Sequence, residues 1–170
     1  MSYADELLAL AKVSSSNPSD AENRRRVSTA YYAVFHLIVE EALVLINPLR
    51  EPVADNLGRR VPTHTGLKSL AAGFVAQAGQ KTVPRPKQWA EANYDGDPSP
   101  ELVELATKFV SLHSFRERAD YDLGTPVPLL DVQNQVDHAG DVFDLVRVKG
   151  VPTRDWRLFL VSVMLLGRKG

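Results

Sequence analysis

The sequence predicts an all-α protein, and three observations support this prediction. Apolar residues recur at steps of three and four in five stretches of the chain, the spacing that buries one face of a helix, and a sixth stretch is apolar nearly all round. Prolines stand at the boundaries of these stretches. No pair of strands and no hairpin turn signal stands out. We therefore expect five to six helices, in a single domain that spans residues 1–170.

Composition excludes several classes of protein. A chain of 170 residues is long enough to bury a core without disulfides. With 44% apolar residues, 24% charged residues and a net charge of -1, it is neither a disordered chain nor a globally basic nucleic-acid binder. Any contact with nucleic acid is therefore local. The absence of cysteine excludes disulfides, thiol catalysis and cysteine metal sites, and it fits a reducing cytosol.

The sequence favours a cytoplasmic protein that does not associate with membranes. Residues 1–10 include Asp5 and Glu6 and lack the basic and then apolar layout of a signal peptide. The longest apolar stretch, Leu158 to Leu166, is far shorter than the roughly 20 residues that a membrane span needs.

The first two helices are expected near the start of the chain. The first covers Ala4 to Lys12, with an apolar face of Leu7, Leu8, Leu10 and Ala11. Ser19 and Glu22 match a capping box that begins the second helix, which continues to Asn47-Pro48. At about 28 residues and roughly 40 Å, this helix is the element on which the others pack. Its apolar face consists of Val27, Tyr31, Val34, Phe35, Ile38, Ala42 and Leu45.

The middle of the chain contains one helix between two irregular segments. Leu49 to Pro62 is expected to be irregular because of its prolines and glycine. The third helix covers Thr65 to Ala78, and its buried side consists of Leu67, Leu70, Ala71, Phe74 and Val75. Gln80 to Pro98 is a long connection rich in proline, and connections of this length in a compact domain are usually functional or disordered.

Three more helices are expected after this connection. Ser99 is the cap of the fourth helix and Pro100 its first residue, and the helix runs to about Leu123. The fifth covers Leu129 to Lys149, with a seam of Leu129, Val132, Val136, Ala139, Phe143 and Val146. The last, Arg154 to Leu166, is apolar nearly all round, so it is either central to the core or part of a subunit interface.

One face of the second helix is polar. Arg25, Thr29, Tyr32 and His36 recur at steps of four, three and four, which places all four side chains on one side. Such a face could line a binding cleft. Alternatively, Tyr32 and His36 are core residues whose polar ends find a backbone or water partner.

The apolar stripe of the fourth helix leads to an arginine. The stripe consists of Leu102, Leu105, Phe109 and Leu112, and its next step falls on Arg116. Burying a guanidinium without a partner is too costly, so Arg116 must meet an acid or open onto a cleft or dimer interface. A pair with Asp120 on the same helix is worth only about 0.2–0.5 kcal/mol, so a partner beyond the helix is required. His113 and Tyr121 lie near the same face, and the alternative for His113 is a surface or interface residue.

At these positions the chain resembles the HEPN family of helical domains, particularly its stand-alone prokaryotic branch. The second helix carries Ala30-Tyr31-Tyr32-Ala33-x-Phe35-His36, and the fourth carries Arg116-x-x-Ala119-Asp120-Tyr121. His64 also falls where related chains often have a histidine. The resemblance covers roughly residues 19–122.

The resemblance implies an up-and-down helical bundle that forms a homodimer, with the arginine-containing helices meeting across a cleft. Many HEPN proteins are ribonucleases that need no metal or cofactor, or toxins paired with a small nucleotidyltransferase-type antitoxin. In these, an arginine and a following histidine act on an RNA phosphodiester. Here Arg116 matches the arginine, Tyr121 stands where the histidine is expected, and Glu117 follows the arginine where Asn, Asp or His is usual.

The polar helix faces and the resemblance together give a set of site residues and a proposed chemistry. The catalytic candidates are Arg116, Tyr121, Asp120 and His36, and the binding candidates are Arg25, Tyr32 and His113. Histidine, with a pKa of about 6.5, is a good proton acceptor near neutral pH, whereas tyrosine, at about 10, is a poor one. The alternative is a non-catalytic dimer or scaffold in which Arg116 and Asp120 tie the helices together and the last helix docks a partner.

Overall fold

The computed structural model describes residues 1–49, 51–60, 62–77 and 97–166, and it confirms the all-α prediction. These ranges contain no β-strand. They contain seven α-helices, one more than the largest number expected: α1 Tyr3–Lys12, α2 Asp20–Ile46, α3 Pro52–Gly58, α4 His64–Gln77, α5 Pro100–Tyr121, α6 Leu129–Asp144 and α7 Thr153–Leu165. A π-helical turn, Leu145–Lys149, continues α6.

The additional helix is α3, which lies in the segment that was expected to be irregular. That expectation was wrong because Pro52 occupies the first helical position, where a missing amide hydrogen costs nothing and the fixed φ angle suits a helix. Gly58 ends α3 and is buried, and a Cβ atom added to it would overlap Cδ2 of Leu43.

Contacts group the chain into two compact units. Unit 1 consists of Met1–Leu37 and Lys108–Lys149, and unit 2 consists of Ile38–Thr107 and Gly150–Gly170. The division falls within α2 and α5, so each of these helices contributes residues to both units. The single domain over residues 1–170 stays a prediction.

Unit 1 has an aromatic core. The fully buried ring of Tyr31 packs against Phe109, with 5.7 Å between ring centroids. Helix α1 begins with a complete capping box between Ser2 and Asp5. It buries Ala4, Leu8 and Ala11, whereas Leu10 is 56% exposed, contrary to the predicted apolar face.

Unit 2 is built around Phe159 of α7. Its ring lies 5.5 Å from that of Phe74 and stacks on Trp156 at 5.7 Å. Helix α7 buries one side, since Phe159 is fully buried while Val161 is 41% exposed. At the start of α5, the Ser99 hydroxyl accepts a hydrogen bond from the amide of Leu102 at 3.3 Å, which agrees with the predicted cap.

The start of α2 holds the chain that follows α5. The Arg24 guanidinium donates hydrogen bonds to the carbonyl oxygens of Ala119, Asp122 and Thr125 at 2.9, 2.9 and 2.6 Å. Asp20 accepts a hydrogen bond from the amide of Val127 at 2.7 Å and pairs with Arg24 at 2.6 Å. The carbonyl group of Ala119 lies in the last turn of α5, where the helix itself leaves carbonyl groups without partners, and the other two lie just beyond the helix.

The predicted capping box of α2 is half present. The Ser19 hydroxyl accepts from the amide of Glu22 at 3.2 Å. The Glu22 carboxylate instead reaches back to Ser15, whose amide and hydroxyl each donate to it at 2.8 Å. Glu22 therefore fixes the connection between α1 and α2.

Helix α2 also has the length and composition of a membrane span. Its most apolar 18-residue window has a mean hydropathy of 1.5, and 56% of that window is buried inside the protein. Core helices of soluble proteins pass the same test, so the expectation of a protein without membrane association stays a prediction. In the connection from Gln80 to Pro98, residues 80–96 lie outside the described ranges. The functional or disordered character predicted for this connection therefore stays a prediction.

Candidate functional site

Arg116 lies where the apolar stripe of α5 continues toward the end of the helix. Its side chain is only 15% exposed. The preceding stripe residues are fully buried, namely Leu102, Leu105, Phe109 and Leu112. Because Arg116 occupies the next position of this stripe, its guanidinium lies at the border of the core of unit 1.

Two partners hold the guanidinium. Its Nε pairs with Oδ2 of Asp120, one turn along the same helix, at 2.6 Å. A terminal nitrogen donates a hydrogen bond to the hydroxyl of Tyr32 on α2 at 3.0 Å. The partner required beyond the helix is thus the tyrosine of the first motif, and the two motifs meet.

Ser28 completes this network. Its hydroxyl donates a hydrogen bond of 2.5 Å to Oδ1 of Asp120, the carboxylate oxygen that does not face Arg116. Sequence reasoning missed Ser28. The signal was available, because Ser28 precedes Tyr32 by four residues and therefore lies on the same side of α2.

Two tyrosine rings flank the cation. The guanidinium carbon of Arg116 is 5.6 Å from the ring centroid of Tyr32 and 5.5 Å from that of Tyr121, within range of a cation–π attraction. Tyr121 is 74% exposed, so its ring presents a large aromatic surface to solvent beside the charge. We call Ser28, Tyr32, Arg116, Asp120 and Tyr121 the arginine cluster.

The electrostatics of this cluster keep Arg116 charged. Partial burial lowers the pKa of its guanidinium, whereas the hydrogen bond with Tyr32 and the charge of Asp120 raise it. The two raising effects together are larger, so the pKa lies above its usual value. Behind the cluster, burial raises the pKa of the Tyr31 hydroxyl, so this group stays neutral. The cluster offers a fixed positive charge next to an exposed ring.

His113 is buried, so the alternative of a surface or interface histidine was wrong. The residue is 2% exposed, and its ring packs edge-on against Tyr31 with 5.3 Å between centroids. Its Nδ1 lies 3.3 Å from the carboxylate of Glu117. The physical reason is the period of α5, since His113 follows the buried Phe109 by four residues.

His36 and Arg25 lie on the side of the polar face that α1 borders. The ring of His36 packs edge-on against Tyr3 of α1, with 4.9 Å between centroids. Arg25 is exposed and lines a cavity together with Leu10 of α1. The four predicted residues do share one face of α2, but Tyr32 turns to α5 while Arg25 and His36 lie toward α1.

The chemistry open to the cluster is the binding of an anion and the stabilisation of negative charge. Within the described ranges, no group of three or more histidine, aspartate or glutamate side chains is placed to hold a metal ion. A scan against protein-family models finds no match, and searches of curated proteins and of solved structures find no significant match either. Membership of the HEPN family therefore stays a prediction from the two motifs.

Proposed function

We propose that this protein is a HEPN-like RNA-binding protein and that the arginine cluster is its RNA site. The observation that carries the proposal is the charged Arg116 beside the exposed ring of Tyr121. A guanidinium binds a phosphate oxygen pair well, and an aromatic ring stacks on an unpaired base. Arg116 contacts the phosphate, and Tyr121 stacks on the neighbouring base of a single strand.

We further propose that bound RNA is cleaved without a metal. In this reaction the 2′-hydroxyl oxygen bonds to phosphorus, the bond to the 5′-oxygen breaks, and a base removes the 2′-proton while an acid protonates the leaving oxygen. Arg116 stabilises the charge that develops on the phosphate oxygens. The candidates for the proton transfers within the cluster are Asp120 and Tyr121, whereas His36, the third candidate from the sequence, packs against Tyr3 of α1.

The experiment that tests RNA binding compares variants at Tyr121, whose side chain is exposed, so that its replacement should leave the fold intact. Tyr121→Ala is expected to weaken binding of a labelled single-stranded RNA by about 1–3 kcal/mol, the worth of one stacked base. Tyr121→Phe keeps the ring and should bind like the wild type. Equal affinities for the Ala and Phe variants would contradict the stacking role.

The role of Arg116 is tested with a matched arginine two positions away. Arg116→Ala should abolish RNA cleavage and growth toxicity and weaken RNA binding, because the phosphate contact is lost. Arg118→Ala is the control, since Arg118 is exposed and packs over Phe115 at 5.0 Å. RNA cleavage is measured in the presence of EDTA, which removes metal ions. An Arg116→Ala variant that cleaves RNA as the wild type does would contradict the catalytic proposal.

A second candidate function is a non-catalytic scaffold, which the bonds of Arg116 and Asp120 to α2 favour. In this case Arg116→Ala lowers the free energy of unfolding by about 1–3 kcal/mol, because Asp120 loses its partner, and RNA binding is absent from the wild type. Urea denaturation beside the RNA assay separates the two candidates.

Two proposals concern partners. The protein forms a homodimer, which sedimentation equilibrium tests directly. Its second partner is a nucleotidyltransferase-type antitoxin, and the toxin–antitoxin proposal predicts a minimal nucleotidyltransferase in the neighbouring reading frame. Co-expression of that protein should relieve any growth toxicity.

A further inference from the structure

We propose that a cavity of unit 1, at the end of α1 and the start of α2, binds a small monocarboxylate with an apolar tail. The cavity has a volume of about 190 Å³. It is lined by Leu10, Val13, Glu22, Arg25, Arg26 and Thr29. The proposal does not involve Arg116, and it stands whether or not the arginine cluster binds RNA.

Arg26 is the residue whose environment indicates an anionic ligand. It is only 6% exposed, and its Nε donates a hydrogen bond to the carbonyl oxygen of Ala11 at 3.0 Å. Within the part of the chain that the structure describes, this is the one hydrogen bond of its side chain, and its charge is attracted by the carboxylate of Glu22. A buried cation is stable when an anion with matching acceptors compensates it, and a carboxylate fits the paired donors of a guanidinium.

The charges around the cavity indicate an anion with a single negative charge. Arg25 adds a second, exposed cation. Glu22 supplies one negative charge, because hydrogen bonds from the amide and hydroxyl of Ser15 hold the pKa of its carboxyl below the usual value. Two cations and one anion leave one positive charge, which a monocarboxylate balances, whereas a phosphate dianion would be repelled by Glu22.

The remaining wall of the cavity is apolar. Leu10 and Val13 are 56% and 66% exposed, although both are aliphatic. The hydroxyl of Thr29 donates to the carbonyl oxygen of Arg25 at 2.7 Å, so it is already used. Since a cavity of about 150 Å³ is known to hold a benzene ring, the space suits a single ring or a branched chain. Benzoate is the simplest molecule with both features.

The first test compares benzoate with benzamide, which has the same shape without the charge, by titration calorimetry and by ¹⁵N chemical-shift mapping of the full chain. Benzoate should bind saturably and shift amides near Leu10 and Arg26, with an affinity about tenfold or more above that of benzamide, as expected for hydrogen bonds to a charged group. Equal affinities, or no saturation of benzoate binding up to about 10 mM, would overturn the proposal.

Variants separate binding from folding. Leu10→Gln replaces an exposed side chain and leaves Arg26 in place, so the variant should fold and lose most of its affinity for benzoate. Arg26→Gln should lose it as well, and its thermal melt reports whether the bond to Ala11 matters for stability. Arg157→Gln, at an exposed arginine of α7, is the control and should bind like the wild type. Normal benzoate binding by Leu10→Gln would also overturn the proposal.

The carboxylate has two possible sources, a free small acid or the carboxyl terminus of a polypeptide. An acetylated tripeptide that ends in phenylalanine, with and without an amidated terminus, distinguishes them. Binding of benzoate alone assigns the cavity to a free acid. Binding of the free-acid peptide as well, and not of its amide, assigns it to a chain terminus.

Discussion

Arg116 is a residue whose position in the sequence predicts its environment but not its partners. The period of α5 places it at the border of the core, as the apolar stripe indicates. Tyr32 and Ser28 reach the cluster only because α2 packs beside α5, which no local pattern specifies. The same period applied to His113 predicts burial, which the structure shows and which the alternative of a surface or interface residue did not foresee.

The bond between Ser28 and Asp120 should couple the two residues energetically. Ser28→Ala and Asp120→Asn are each expected to lower the free energy of unfolding by about 1 kcal/mol, and the double variant should lose less than the sum by about 0.5 kcal/mol or more. Urea denaturation of all four proteins measures the coupling. Ser114→Ala is the control, since this hydroxyl bonds to Val110 within its own helix. A coupling of zero would show that Ser28 does not support the cluster.

At the scale of elements, the connection between α5 and α6 depends on the first turns of α2. Arg24 and Asp20 together bind four backbone groups of this part of the chain. Sequence patterns predicted where α2 and α5 begin and end to within about two residues. They missed α3, whose proline was read as a breaker, and they missed that the end of the fifth predicted helix is a π-helical turn.

Replacing Arg24 should loosen this connection. Arg24→Gln is expected to cost about 1–3 kcal/mol of stability, because three carbonyl oxygens lose a charged donor, and amide hydrogen exchange should rise in residues 122–127. Arg25→Gln changes an exposed neighbour and should stay within about 0.5 kcal/mol of the wild type. If both variants exchange alike in this segment, Arg24 does not anchor it.

Two glycines should respond in opposite directions to alanine. Gly58→Ala forces its methyl group against the fully buried Leu43 and is expected to destabilise by about 1–3 kcal/mol. Gly140 lies inside α6 with nothing within 4 Å of an added Cβ, so Gly140→Ala should stabilise by about 0.5–1 kcal/mol. Thermal melts check both, and a stable Gly58→Ala variant would mean that Leu43 has room to move.

For the whole molecule, charge determines the response to acid. Among the residues that the structure describes, hydrogen bonds lower the pKa of three carboxyl groups, those of Asp5, Asp20 and Glu22. All three belong to unit 1. Because the unfolded chain takes up these protons at a higher pH than the folded protein, the stability they contribute is present at neutral pH and is lost as the pH falls.

Asp20→Asn should reduce this acid sensitivity. The pKa of Asp20 is lowered chiefly by the hydrogen bond from the amide of Val127 and then by Arg24. The stability that Asp20 contributes is therefore lost as the pH falls below 3.8, the ordinary pKa of its carboxyl group. Urea unfolding followed from pH 6 to about pH 2 should show a shallower loss in the variant than in the wild type. Asp131→Asn removes one negative charge elsewhere and controls for net charge. Parallel profiles for Asp20→Asn and the wild type would contradict the assignment.

The division of the chain into two units also constrains the order of events during synthesis. Each unit is assembled from two separate stretches, since Met1–Leu37 belongs with Lys108–Lys149 and Ile38–Thr107 belongs with Gly150–Gly170. Arg24 leaves the ribosome long before the carbonyl group of Thr125, 101 residues later, which it must bind. The first stretch of unit 1 therefore lacks its packing partners, and Tyr31 and its neighbours stay exposed, until most of the chain has been translated.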